Sequence, residues 1–188
     1  MRFGLVSDTH GRFDEGLATL FRGCARILHA GDVVRPVVLD CLEAIAPVTA
    51  VRGNNDVGAD ARGLREVETL DVGALRLLVI HELGKPEKLL PAARRAIARE
   101  SPSSVGFGHS HHPNVRVENR VSGDPRDPRS TPACGLLLIN PGSAGPRRFK
   151  LPRTAGLLEV RGRRATVTLS DLATDALGPF GLPGEAAL

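Results

Sequence analysis

The stretch RFGLVSDTH, residues 2–10, decides how the rest of the chain is read. Its first six residues form a short, mostly apolar run, too brief for a helix and suited to a strand buried on both faces. The run then breaks into Asp8-Thr9-His10, polar residues placed where such a strand would emerge. The same arrangement recurs downstream. RILHA (26–30) leads into Gly31-Asp32, PVTAV (47–51) is followed closely by Gly53-Asn54-Asn55-Asp56, and SVGF (104–107) leads into Gly108-His109-Ser110-His111. His81 follows RLLVI (76–80) in the same way. In open α/β sheets ligands gather outside the carboxyl ends of strands, so polar clusters at several such ends predict a single shared site.

Amphipathic segments lie between these runs, which is the alternation of an α/β fold. Residues 14–22 place Leu17, Leu20 and Phe21 on one helical face, and residues 36–46 begin with a proline suited to a first helical turn. Leu89, Leu90, Ala93 and Ile97 predict a helix over 86–100. Further strands are predicted at 136–139, 156–160 and 165–169. Residues 121–132, rich in Gly, Pro, Ser, Asp and Arg, read as a long exposed loop, and the tail from Ala173 has no clear period. The 188 residues are expected to form one domain, with residues 173–188 irregular.

Composition narrows the class. The charge of +4 comes from 25 basic and 21 acidic residues, a mild excess carried almost entirely by arginine. Guanidinium suits phosphate oxygens, but with no Trp, no Tyr and six Phe the chain lacks stacking platforms for single strands. A dedicated nucleic-acid partner is therefore not expected. Cys24, Cys41 and Cys134 are odd in number and widely spaced, which argues against a disulfide framework or a cysteine metal clip. The stretch after Met1 has no h-region or small-residue cleavage site, so no secretory leader is expected, and no run reaches the ~20 apolar residues that a membrane span needs. The expectation is a cytoplasmic protein with no membrane partner.

The clustered residues offer carboxylates, an amide oxygen and imidazoles, the donor set of Mn, Fe, Zn or Ni. With no cysteine among them, an open catalytic centre fits better than a closed structural zinc site. The ordered pattern DTH, GD, GNND, His81 and GHSH resembles the calcineurin-like metallophosphoesterase superfamily. Asn140-Pro141-Gly142-Ser143 and the short chain narrow the likeness to its small bacterial and archaeal phosphodiesterase branch, often called YfcE-like. The resemblance implies a four-layer α/β/β/α sandwich of two mixed sheets flanked by helices. It also implies two divalent metal ions, Mn first, with Ni, Fe or Zn as the other candidates. By position it gives Asp8, His10 and His111 to one ion, Asn54, His81 and His109 to the other, and the bridge to Asp32. Catalytic candidates are Asn55, Asp56 and His109.

Two cations of this kind bind phosphoryl oxygens and generate a bridging hydroxide that attacks phosphorus. The implied function is hydrolysis of small phosphate esters. Many superfamily members read GNHE, with a histidine thought to protonate the leaving group; here Asn55 stands in its place. An amide is no acid, so diesters or activated aryl phosphates are favoured as substrates. The alternatives are a phosphomonoesterase or nucleotidase, and a non-catalytic protein-interaction scaffold, since a membrane-trafficking scaffold is known on that fold. The family often forms dimers, which makes a homodimer one expected assembly. Thr9, Arg12, Arg147 and Arg148 are candidates for substrate contact, His29 reads as a packed core histidine, and Glu82 and His112 stay open between the site and solvent.

Overall fold

In the computed structural model, residues 1–61, 63–85, 88–119, 135–148, 150–174 and 186–187 are described. The chain runs β1 (Arg2–Val6), α1 (Gly16–Leu20), β2 (Arg26–His29), α2 (Pro36–Glu43), β3 (Val48–Ala50), a short 3-10 turn (Gly58–Ala61), β4 (Val67–Val72) and β5 (Leu75–Ile80). A hairpin of β6 (Gly84–Lys85) and β7 (Lys88–Leu89) leads to α3 (Pro91–Glu100), β8 (Ser104–Gly106) and β9 (Asn114–Asn119). β10 (Gly135–Asn140), β11 (Thr154–Arg161), β12 (Arg164–Asp171) and β13 (Ala186–Ala187) complete it.

Two mixed sheets result, ordered β13-β12-β11-β1-β2-β3 and β4-β5-β8-β10-β9. Period-two alternation assigns each strand residue to a layer. Leu77 and Val79 of β5 and Leu137 and Ile139 of β10 face inward and meet Phe3, Leu5, Leu28 and Leu158 of the first sheet. Their neighbours Leu78, Ile80, Leu136 and Leu138 face outward onto Ala93 and Ala96 of α3. On the far side Val6 and Ile27 meet Leu17 and Leu20 of α1 and Val38 and Leu42 of α2. The stack is therefore helix, sheet, sheet, helix, as expected, and strands buried on both faces explain the continuous apolar runs.

The predicted elements recur with shifted bounds, and one changes character. The helix expected over 86–100 begins only at Pro91. A residue before proline is pushed out of the helical region, and Leu90 is accordingly extended, with φ −60 and ψ 147. Leu89 belongs to the hairpin strand β7 and not to a helix. Strands β4 and β9 were not anticipated; both are edge strands of the second sheet. The 121–132 loop lies outside the described residues, as does most of the 173–188 tail, from which Ala186–Ala187 adds an edge strand to β12. No helix among the described residues is long and apolar enough to cross a membrane.

This topology positions the site. β1, β2 and β3 run parallel in one sheet, and β5, β8 and β10 run parallel in the other. Loops leaving the carboxyl ends of these strands carry the polar clusters to one edge of the sandwich.

Candidate metal centre

The loops approach one another most closely where they carry glycine. A Cβ on Gly53 would stand 2.2 Å from an oxygen of Asp32, and one on Gly108 would stand 1.9 Å from Ser7 Oγ and 2.7 Å from Asp8 Oδ2. The candidate ligand residues adopt an uncommon backbone. Among the described residues seven non-glycine positions have positive φ, and five of them are Asp8, His10, Asp32, His109 and His111. Such conformations cost energy and collect where surrounding structure holds functional groups in place.

The surrounding structure is visible in the hydrogen bonds. Asp8 is fully buried and accepts from Ser7 Oγ at 2.6 Å and from His109 N at 3.1 Å. Ser143 Oγ donates to the Asp8 carbonyl at 2.9 Å, and Asn140 Nδ2 donates at 3.0 Å to both the Gly108 carbonyl and Ser110 Oγ. Asn140 and Ser143 thus hold the Asp8 and His109 loops together, a role the sequence did not reveal; their place just beyond an apolar strand was the available signal. Asp56, a catalytic candidate from the sequence, accepts from Gly53 N at 2.8 Å and Val34 N at 2.7 Å. Both of its oxygens are occupied in tying two loops.

The expected ligands come together in two overlapping groups. Ligand atoms of Asp8, His10 and His111 lie within 4.8 Å of one another, and so do those of Asp8, Asp32 and His81. Asn54 and His109 join the second group: Asn54 Oδ1 is 3.0 Å from His81 Nε2 and 2.9 Å from His109 Nδ1. Asp32 reaches toward both groups, with one oxygen 3.8 Å from His10 Nε2 and the other 3.5 Å from His81 Nε2. Asp8, expected on one side only, also lies between them.

The chemistry of these contacts fits a cation better than its absence. His81 Nδ1 lies 2.7 Å from the Ala30 carbonyl, which can only accept, so Nδ1 carries a proton. That leaves Nε2, which faces Asn54 Oδ1 at 3.0 Å and Asp32 at 3.5 Å, as the ring atom turned toward the cluster and available to a cation. Asp8 Oδ1 and His111 Nδ1 are buried without a hydrogen-bond partner. His10 Nε2 and His111 Nε2 are 3.3 Å apart. Two nitrogens on one ion, each bonded at ~2.0–2.1 Å, would be separated by about that much in tetrahedral coordination. Burial, and next the nearby Arg148 charge, push His10 below its ordinary value and favour the neutral ring that ligates metal. Burial pushes Asp8 up, but the His111 ring 3.3 Å from Oδ1 and the Ser7 hydroxyl outweigh it and hold the carboxyl below its ordinary value.

The remaining candidates separate clearly. Asn55 is at the centre: its backbone N–H and side-chain amide donate to the two Asp32 oxygens at 2.8 and 2.6 Å. Glu82 Oε1 lies 3.5 Å from His109 Nε2, with both side chains roughly half exposed. Arg12, Arg147, Arg148 and His112 are exposed. Thr9, expected to touch substrate, is fully buried and bonded to His29 Nε2 at 3.0 Å.

His29 has a consequence for stability. Gly31 N donates to Nδ1, so Nε2–H donates to Thr9, and burial pushes the ring down to about 4. A folded value below the unfolded 6.5 means that stability is fully present above 6.5 and is lost as pH falls toward 4. The loss amounts to about 3 kcal/mol. Urea unfolding of metal-free protein from pH 7.5 to 4.5 should show a shallower acid decline in His29→Asn, whose Oδ1 can still accept from Gly31. Parallel declines would contradict this.

Two cavities open beside the cluster. One of about 800 Å³ is lined by Arg52, Asn54, Val57, Leu64 and His81, and one of about 990 Å³ by Leu83, Leu89, Leu90, Phe107 and His109; Glu82 borders both.

Residues 1–163 match the family model described as the calcineurin-like phosphoesterase superfamily domain. A probable metallophosphoesterase of Methanothermobacter thermautotrophicus is 33% identical over 152 residues, covering 73% of this chain and 85% of its own. Among solved structures, a Vps29 mutant from Entamoeba histolytica superposes with TM-score 0.69 at 19% identity, covering 93% of this chain and 94% of its own. Yfce, a phosphoesterase from E. coli, superposes with TM-score 0.64 at 22% identity, covering 96% and 97%.

Proposed function

Because the chain belongs to the calcineurin-like phosphoesterase superfamily, we propose that it is a metal-dependent phosphodiesterase acting on small phosphate diesters. The observation that carries this reading is the convergence of seven metal-ligating side chains, two of them buried carboxylates, with Asn55 bonded to Asp32 at their centre.

Asp8, His10 and His111 would hold one divalent ion, Asn54, His81 and His109 a second, and Asp32 would share both. When bound, such a pair supplies Lewis acidity toward phosphoryl oxygens and brings the deprotonation of water near neutral pH. The protein's own contribution is placement. Ala30 fixes the His81 tautomer, Asn140 and Ser143 fix the loops, and the buried Asp8 and Asp32 supply negative charge that draws cations in. Asn55 can donate a hydrogen bond to an oxygen but has no proton to give to a departing alkoxide. Diesters and aryl esters, whose leaving groups need less help, are therefore the favoured substrates.

Turnover of bis(p-nitrophenyl) phosphate with Mn, lost on chelation and restored by metal, is the expected result. The likeness in fold to Vps29 supports a second reading, a protein-interaction scaffold, and absence of turnover with every divalent metal tried would replace the first with it. Asn55→His should raise alkyl monoester turnover relative to activated diester turnover by roughly a hundredfold, the low end of what general acids contribute. An unchanged ratio of kcat/KM for glycerol phosphate, an alkyl monoester, and bis(p-nitrophenyl) phosphate would remove Asn55 from the position assigned to it.

A further inference from the structure

Parallel pairing of β5 with β8 matches Val79 to Gly106, and the same offset carried past the strand ends sets His81 beside Gly108 and Glu82 beside His109. The contact does continue that far, since Gly108 N donates to the His81 carbonyl at 2.9 Å. Glu82 stands between buried His81 and buried Leu83, so its backbone is held in place while its carboxylate stays half exposed. The sheet thus delivers this carboxylate to one histidine. Glu82 Oε1 lies 3.5 Å from His109 Nε2, and the other ring nitrogen, Nδ1, lies 2.9 Å from Asn54 Oδ1.

A neutral imidazole carries one proton, so the ring has two forms to choose between. With the proton on Nδ1 it donates to the Asn54 amide oxygen and keeps no lone pair there for an ion. With the proton on Nε2 it donates to Glu82, and the Nδ1 lone pair is left facing the oxygen of Asn54, toward which His81 Nε2 also turns. The shorter contact with Asn54 favours the first form. The charge on Glu82 favours the second, because a hydrogen bond to a carboxylate is roughly twice as strong as one to a neutral oxygen.

We infer that Glu82 is the positioning residue of His109: its carboxylate takes the Nε2 proton and leaves Nδ1 as the atom presented to a cation. The main chain does the corresponding work for His81, where the Ala30 carbonyl takes the Nδ1 proton and leaves Nε2. Two histidines on one ion are then set through opposite nitrogens, one by the backbone and one by a side chain. The role of Glu82 rests on the metal-centre reading of the cluster and is independent of which ester is cleaved.

Long-range proton–nitrogen correlation spectra of isotope-labelled, metal-free protein distinguish the two tautomers at a mildly alkaline pH that keeps the rings neutral. In the parent, His109 should be the Nε2–H form. In Glu82→Gln, which keeps the shape and removes the charge, His109 should pass mainly to Nδ1–H. His81 should remain Nδ1–H in both and serves as the internal control, and His109→Gln assigns the signal by its loss. Calorimetric titration of the same proteins with cobalt(II) should show one of two binding steps weakened about tenfold in Glu82→Gln and the other unchanged. That is the low end of what loss of a carboxylate behind a ligating histidine costs, in keeping with a half-exposed pair. An Nδ1–H form of His109 in the parent, a tautomer that Glu82→Gln leaves as it was, or a cobalt affinity either unaltered or lowered equally at both steps would each overturn the inference. A parent that binds no cobalt removes the metal-centre reading itself, and the role of Glu82 with it; a parent that binds cobalt while Glu82→Gln matches it removes only the latter.

Discussion

Replacing Asp32 with asparagine should lower kcat/KM for bis(p-nitrophenyl) phosphate by about a thousandfold or more, equivalent to ~4 kcal/mol of transition-state stabilisation. Bound metal in the purified protein should fall below the parent's. The backbone gives this substitution its clarity. Asp32 sits at φ 56, a conformation that asparagine tolerates as readily as aspartate, so no strain is added. Removing the charge leaves the volume almost unchanged, and the cost to folding is limited to one imperfect hydrogen bond from Asn55, about 1 kcal/mol. Elemental analysis, steady-state kinetics and a urea melt of chelated protein together separate the outcomes. Near-normal turnover would exclude a shared role for Asp32, and a collapsed melt would mean that the carboxylate is needed for folding.

The second large effect is expected at Gly108. In Gly108→Ala the added methyl would meet Ser7 Oγ at 1.9 Å and Asp8 Oδ2 at 2.7 Å, neither of which is the loose end of a long side chain. Ser7 is fully buried and Asp8 is held by three neighbouring groups, so the loop after β8 must move away. That movement carries His109 and His111 with it. Overpacking of this kind costs ~1–3 kcal/mol in stability, and a ligand misplaced by ~1 Å can cost ~100-fold in rate. Denaturant unfolding and kcat at saturating Mn should both fall. A variant with full activity would show that the loop accommodates the methyl without disturbing the ligands.

Much of the arrangement was legible because burial and chemistry wrote different signals into the same segments. Runs such as LLVI (77–80) are apolar throughout since both faces are covered, and the polar residues that follow them mark where the chain leaves the core. The edge strands lacked that contrast. VETLDV and NVRVEN mix apolar and polar positions, as half-buried strands at a sheet margin do, and drew no strand assignment. The hairpin before α3 was hidden by helix-forming residues, and only its pairing with Gly84 shows it as strand. At the site, residue types announced the candidate ligands, but the supporting bonds of Asn140, Ser143 and Asp56 could not be read, since most join residues far apart in the chain. Thr9 was misread for the same reason: its partner His29 lies on the neighbouring strand.

The left-handed backbone at Asp8, His10, Asp32, His109 and His111 also constrains the protein's future. At these positions a replacement is judged twice, once by the ion it would hold and once by the conformation it must adopt. If a lineage lost the need for metal, selection on chemistry would lapse while selection on conformation continued. Asparagine, aspartate and glycine would be admitted, whereas valine, isoleucine and threonine would be resisted by strain of ~1–3 kcal/mol each. A descendant that had abandoned hydrolysis would then carry small polar residues and glycine where the ligands once stood, preserving the outline of the centre after its chemistry had gone.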